Sequence, residues 1–282
     1  MQSISNLLSK QKTISFEFFA PKEQALQEKL LGSIKNLEEF TPSFVSVTYS
    51  INKNSGPTDI IVKNIAEETT LPVMPHLTCI THTQHEIDTI INLYKKMNLG
   101  NILALRGDLP EMNNGISAKD FKNALQLVNY LRQDNNLDIA VAAHPEGHPD
   151  AIDQKSDLHY QQQKINSADF AITQFFFEAE IYLKFIEKMN SYNVTTPIIP
   201  GLMPPTNLSS LIKMSKINGS RLPKSIKDKL EKLHTRKETE EFAIEITVNL
   251  AEKLIANGAP GIHLYTMNNL DLGNKIAKEI KL

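Results

Sequence analysis

Eight short β-rich runs, each followed by a longer stretch with helical patterning, constrain this chain more than any other feature. The runs are 13–19, 44–50, 73–79, 101–107, 138–145, 170–177, 197–204 and 261–268. Between them, segments such as 23–39, 83–97, 118–133 and 178–190 carry apolar residues at helical spacing. Pro21, Pro57, Gly100, Pro110, Pro149 and Gly258 mark the changeovers. Strict strand–helix alternation implies parallel strands and an α/β architecture. Eight units of about 35 residues match a single (β/α)8 TIM barrel. An open doubly wound sheet competes, but no Gly-rich phosphate turn follows the first run. The interval 204–261 exceeds one unit and holds extra helix. No linker or low-complexity tract divides the chain, so residues 1–282 are expected to form a single domain.

Composition excludes several function classes. Net charge is −2, with 30 basic and 32 acidic residues interspersed, which leaves no nucleic-acid footprint and no basic membrane-surface patch. No run is long and apolar enough to span a bilayer, and residues 1–12 are short and mostly polar, without a signal-peptide core. The lone cysteine, Cys79, excludes an internal disulfide and lies in an apolar stretch, where it reads as a packed, unreactive thiol. The expected location is the cytoplasm, with small molecules rather than nucleic acid or membrane as partners.

In a TIM barrel the active site forms at the carboxyl ends of the strands. Seven of the eight runs carry a polar or ionisable group there: Glu17, Thr48, His76, Arg106 with Gly107 and Asp108, His144, Gln174 and Tyr265. Isolated charges in apolar strands are costly unless paired or used. Glu17 alternates with Phe16 and Phe18 and therefore faces the barrel mouth. Among phenylalanines its pKa is expected to be raised, as suits a general acid; a Lys or Arg partner is the alternative. Arg106 and Asp108 could bridge the rim as an ion pair. His76 reads equally as a core histidine or a ligand contact, and Thr48 and Gln174 carry little weight alone. In His144-Pro-Glu-Gly-His148 the proline and glycine prevent the helical display of a zinc protease, and no nearby cysteine or third histidine completes a site. A loop contacting a polar ligand is the better reading, with no metal.

Taken together, the strings resemble one family. Ser-Phe-Glu-Phe-Phe-Ala-Pro (15–21), Phe-Val-Ser-Val-Thr-Tyr (44–49), Pro-His-Leu-Thr-Cys (75–79) and Leu-Ala-Leu-Arg-Gly-Asp-Leu-Pro (103–110) resemble the methylenetetrahydrofolate reductases. So do Pro-Glu-Gly-His-Pro (145–149), Ala-Ile-Thr-Gln-Phe-Phe-Phe (171–177), Ile-Ile-Pro-Gly-Leu-Met-Pro (198–204) and His-Leu-Tyr-Thr-Met-Asn (263–268). The matches run in order along nearly the whole chain.

The resemblance implies an FAD-dependent barrel that uses NADH or NADPH to convert 5,10-methylenetetrahydrofolate to 5-methyltetrahydrofolate, in support of methionine synthesis. Glu17 matches the family's general acid, which protonates the bridging nitrogen of the folate. Asp108 matches an aspartate that stabilises the resulting iminium. Gln174 matches a glutamine shared by folate and nicotinamide, Thr48 a position near the nicotinamide, and Tyr265 a substrate contact. FAD contacts would fall on His76, Arg106, Gly107, Asp108, Ala118, His144, His148, Ala151, Asp157 and Lys164, with Arg106 and Lys164 suited to the pyrophosphate. The two substrates would take turns over one flavin face, in ping-pong turnover. NADH, NADPH and a protein are the electron donors the resemblance allows. Relatives commonly self-associate, which implies a homo-oligomer; the chain ends soon after the eighth unit, so no regulatory C-terminal domain is expected.

Several positions depart from the family pattern. His144 stands where tyrosine is usual, Gln163 replaces a basic residue, and Ser167-Ala168 makes the turn before strand six one glycine short. Leu208 and Asn269 occupy positions where some relatives place phenylalanine and arginine. These bear on FAD affinity and folate-tail recognition. Two other functions stand beside the reductase. One is a flavin-free folate- or pterin-binding barrel acting as a methyltransferase or lyase; the other is a non-catalytic binding paralogue. The latter requires the loss of an acid–base residue, and Glu17, Asp108 and Gln174 are all present.

Overall fold

The computed structural model describes residues 2–35, 42–49, 56–108 and 119–282. In chain order the elements are α1 (Ile4–Leu8), β1 (Thr13–Phe18), α2 (Gln24–Lys35), β2 (Phe44–Val47), α3 (Pro57–Glu68), β3 (Val73–Thr78) and α4 (Gln84–Lys96). Next come β4 (Asn101–Leu105), α5 (Ala124–Leu131), β5 (Asp138–Ala143), α6 (Gln154–Asn166), β6 (Phe170–Thr173) and α7 (Ala179–Ser191). The chain finishes with β7 (Ile198–Ile199), β8 (Gly201–Leu202), α8 (Leu208–Asn218), α9 (Lys224–Leu230), α10 (Arg236–Ala256), β9 (Gly261–Tyr265) and α11 (Leu270–Glu279).

Every strand pairing is parallel, and the order β7-β6-β5-β4-β3-β2-β1-β9-β8 brings the two ends of the sheet together. The run expected at 197–204 is two two-residue strands on either side of Pro200, which lacks the N–H a continuous ladder needs. β7 pairs with β6 and β8 with β9, so the broken strand is the stave that closes an eight-stave TIM barrel.

Alternation along each strand divides two cores. Ile14, Phe16 and Phe18 face outward and join the layer between strands and helices. Inside, Phe44, Met74, Leu103, Ala140, Phe170, Ile172 and Ile199 fill the lower barrel, and Ile4 of α1 plugs its floor. The plug is bonded in place: Ile4 N donates to Asn101 Oδ1 at 3.1 Å and Ser5 N to Asp138 Oδ2 at 2.8 Å. Residues 1–12, read as a polar lead-in, thus contain a structural helix. Five helical residues with one buried apolar side chain leave no periodicity to detect.

Helix limits follow local chemistry. Thr83 caps α4 in a reciprocal box with Glu86, Ile87, Ile91 and Tyr94 form its buried face, and Lys95 and Lys96 complete its last turn. The expected extra helix between 204 and 261 is present as α8 and α9 ahead of α10. The expected run 170–177 ends as a strand at Thr173, because Phe175 and Phe177 leave the ladder to pack with Met203, Leu211, Ile226 and Leu230 beneath those added helices. No helix among the described residues is long and apolar enough to cross a membrane. In α2, Gly32 is exposed, and a Cβ there would meet nothing within 4 Å. Gly32→Ala is therefore expected to raise stability by about 0.5–1 kcal/mol, read as an upward shift of the urea midpoint; a fall would show that this site packs more closely than described.

Candidate active site

Strand register assembles the first part of the site. β9, β1, β2 and β3 lie side by side, with Glu17 opposite both Tyr265 and Ser46, and Ser15 opposite His263. The inward-facing side chains of these strands therefore meet at the mouth. His76 Nε2 lies 3.3 Å from Glu17 Oε2, in ion-pair range but off the line of a hydrogen bond. His263 Nε2 lies 3.6 Å from the same oxygen. Ser15 Oγ and His263 Nδ1 share a 2.8 Å hydrogen bond, Ser46 Oγ is 3.5 Å from His263 Nε2, and the ring stacks on Phe44.

This arrangement corrects the expectation of a raised Glu17 pKa. Burial does push the carboxyl up, but the contact with His263 and the charge of His76 outweigh it and hold Glu17 at about 2. The partners are two histidines, not the Lys or Arg considered from sequence. His263 and its serine were missed as site residues. Their signal was the period-two spacing of Ser15 with Glu17 and of His263 with Tyr265, which puts all four on one face.

Around this trio stand the other expected residues. Arg106 does not bridge to Asp108: its Nη1 pairs with Asp150 Oδ2 at 2.9 Å and its Nε donates to Gly107 O at 3.1 Å. Gly107 turns the chain at φ 84°, and Asp108 projects as an exposed carboxylate. Gln174 Oε1 accepts from Phe175 N, which leaves its NH2 without a partner among the described residues. Thr48 Oγ1 accepts from Ala20 N. The Tyr265 hydroxyl donates to Thr173 O at 2.7 Å, so this residue offers a ring rather than a donor. Ala118 lies outside the described residues. Cys79 is buried, its thiol donates to Asn123 O, and burial pushes its pKa up to about 11, as suits an inert packing residue.

The second part of the site is cationic. Asp157, Gln161 and Lys164 follow one face of α6 at helical spacing and are all buried. Gln161 clamps the turn after β5, accepting from His144 N at 2.7 Å and donating to His144 O at 3.0 Å and Asp157 Oδ2 at 2.8 Å. His144 and His148 meet edge to face, with ring centroids 4.7 Å apart. His144 Nδ1 is buried without a hydrogen-bond partner among the described residues. The Lys164 ammonium sits over the Tyr160 ring, and no carboxylate among the described residues comes within ion-pair distance of it. Burial pushes it down to about 8, with Asp157 opposing and Arg106 adding to the shift. A cavity of about 470 Å³ adjoins the cluster, lined by His144, His148, Ala151 and Asp157 and walled by Lys184 and Phe185 of α7. Among the described residues, no three His, Cys, Asp or Glu side chains converge as metal ligands. The arrangement offers a buried carboxylate–histidine set at one side of the mouth and an anion-accepting cluster at the other.

Residues 1–281 match the family model described as methylenetetrahydrofolate reductase. The chain belongs to the methylenetetrahydrofolate reductase family. Among curated relatives named 5,10-methylenetetrahydrofolate reductase, those of Salmonella typhimurium and Escherichia coli are each 36% identical over 269 residues, covering 94% of this chain and 90% of theirs. In fold, the chain is similar to an uncharacterized Clostridium thermocellum protein that binds two copies of 5-methyl-5,6,7,8-tetrahydrofolic acid. The TM-score is 0.64 at 15% identity, with 97% of this chain and 96% of that one covered. Methylenetetrahydrofolate reductase membership therefore rests on sequence, and the solved neighbour adds a shared fold.

Proposed function

We propose that this chain reduces 5,10-methylenetetrahydrofolate to 5-methyltetrahydrofolate, with FAD held at the barrel mouth, NADH or NADPH as donor, and the two substrates alternating in one site. The observation that carries this reading is the Glu17 carboxylate buried between His76 and His263, in a chain whose family is named for the reaction.

The residues at the second cluster fit FAD. A buried ammonium without a carboxylate and a buried imidazole nitrogen without a partner, both among the described residues, are the groups a diphosphate would satisfy. Arg106, Lys164, His144 and His148 would hold it, and Asp157, whose Oδ2 is already engaged, keeps Oδ1 for a ribose hydroxyl. When bound, the flavin supplies hydride acceptance and donation.

The protein's part is the proton. Opening the folate's five-membered ring breaks its carbon–N10 bond, places a proton on N10 and leaves a cationic iminium at N5, ready to accept hydride at carbon. Glu17 is the group placed to deliver that proton. The contacts with His263 and His76 hold its carboxyl low against burial, so where those contacts loosen, burial favours the neutral acid, which passes its proton to N10. Ser15 fixes the His263 ring through Nδ1 so that Nε2 faces the carboxylate. The Asp108 carboxylate offsets the iminium charge, and the free NH2 of Gln174 serves pterin and nicotinamide in turn.

An anaerobic absorbance titration of the FAD-reconstituted protein tests the reading. NADH is expected to bleach the oxidised flavin band, and methylenetetrahydrofolate to restore it. Bleaching without recovery would leave a flavin reductase of another substrate. No flavin uptake would overturn the cofactor assignment and favour a flavin-free folate barrel.

A further inference from the structure

Among the described residues, His144 is the one titratable ring at the cationic cluster with a buried nitrogen left unpartnered. Its backbone is fixed, because Gln161 bonds both its main-chain N–H and its C=O, and its ring packs edge to face on His148 with centroids 4.7 Å apart. We propose that His144 makes the binding of FAD at this cluster proton-linked: the diphosphate enters together with a proton taken up on the His144 ring, and affinity falls as pH rises. This rests on the flavin reading above and specifies how that site is regulated.

The surroundings set the sign. Burial, then the charges of Lys164, His148 and Arg106, hold the His144 ring well below its ordinary pKa, so the free protein keeps it neutral near pH 7. A diphosphate beside Lys164 and Arg106 brings two negative charges, cancels that repulsion and gives a protonated ring nitrogen an acceptor. The bound form therefore has the higher proton affinity. Binding is strongest below the free-state pKa and weakens as pH rises toward the bound-state value.

The other charged groups facing the ring do not supply this linkage. His148 Nδ1 accepts from Asp150 N at 3.1 Å, a bond that protonation there would break. Asp150 is paired with Arg106, and Glu146 accepts from Arg221 N. Asp157 Oδ2 is bonded to Gln161 and His148. Lys164, held at about 8, adds its own dependence only in the alkaline range. Lys184 and Lys188 on the far wall of the cavity are exposed.

The test is the Kd of FAD, read from flavin fluorescence at pH 6 and pH 7, where FAD has no titrating group of its own. One linked proton makes the wild-type Kd rise by about five- to tenfold over that unit. His144→Phe and, as a second variant, His144→Tyr are expected to flatten the dependence to less than about twofold on the same ground. Calorimetry on the wild-type protein at pH 6.5, in two buffers of different protonation enthalpy, should count close to one proton taken up per FAD, whether or not the variants fold. FAD that binds with a pH-independent Kd, no proton uptake, or a slope retained in both variants overturns the linkage alone. FAD that binds at no pH overturns the flavin reading and the linkage with it.

Discussion

Glu17→Gln is expected to slow the folate half-reaction by about 10²- to 10⁴-fold, the range a positioned general acid supplies, while flavin reduction by NADH stays close to wild type. The two half-reactions separate because only one needs a proton delivered. Glutamine keeps the volume of the side chain and an oxygen toward His76 Nε2 and His263 Nε2, which lie 3.3 and 3.6 Å from the carboxylate, but it cannot pass a proton to folate. Single-turnover absorbance with each substrate separately gives the comparison. Glu17 is only 7% exposed, so the variant's melting midpoint must accompany the rates. Equal loss in both halves would move Glu17 from proton delivery to general support of the flavin site. An unchanged folate rate would remove it from the chemistry.

What the sequence disclosed and what it withheld divide along a physical line. The eight staves were visible because parallel barrel strands are buried on both faces and read as apolar β-branched runs. Glu17, His76, Arg106 and Gln174 stood out as polar residues where such runs end. Partnerships were not visible. Arg106 meets Asp150 across two loops rather than its near neighbour Asp108. His263 is contributed to Glu17 by a strand almost the whole chain away, made adjacent only by barrel closure. The direction of the Glu17 pKa followed from that same omission: with phenylalanines alone in view, burial dominates, and with two histidines in contact it does not. The break at Pro200 and the α1 plug were hidden for a different reason. A two-residue strand and a five-residue helix are too short to carry a period. The cationic cluster was nearly complete in the sequence, and the structure added the bare Nδ1 of His144 and the lone ammonium of Lys164.

Barrel closure also makes the second large prediction. Gly201 begins β8, the second half of the closing stave, and a Cβ built there would lie 2.3 Å from Thr173 O, 2.6 Å from Tyr265 Cε2 and 2.8 Å from its hydroxyl oxygen. The ring of Tyr265 passes over this glycine so that its hydroxyl can donate to Thr173 O at 2.7 Å, while Gly201 N donates to Thr173 Oγ1 at 2.9 Å. Thr173 is held by the β5–β6 ladder and cannot retreat. In Gly201→Ala the tyrosine must rotate away, leaving a carbonyl unpaired, and the stave must shift. Overpacking of a tight site and loss of a buried hydrogen bond together cost about 3 kcal/mol, which in a chain of this size lowers the melting midpoint by roughly 5–10 °C. The damage should reach the chemistry, because Tyr265 packs edge-on against His263 with centroids 5.3 Å apart. Folate reduction is thus expected to fall even below the melting range, with FAD binding at the α6 cluster, which neither Gly201 nor Tyr265 lines, retained. Gly32→Ala, the same substitution in open space, is the control that separates this crowding from loss of glycine itself. A Gly201→Ala protein as stable and active as wild type would mean that Tyr265 does not lie across the stave, and that the barrel mouth beside Glu17 is wider than described.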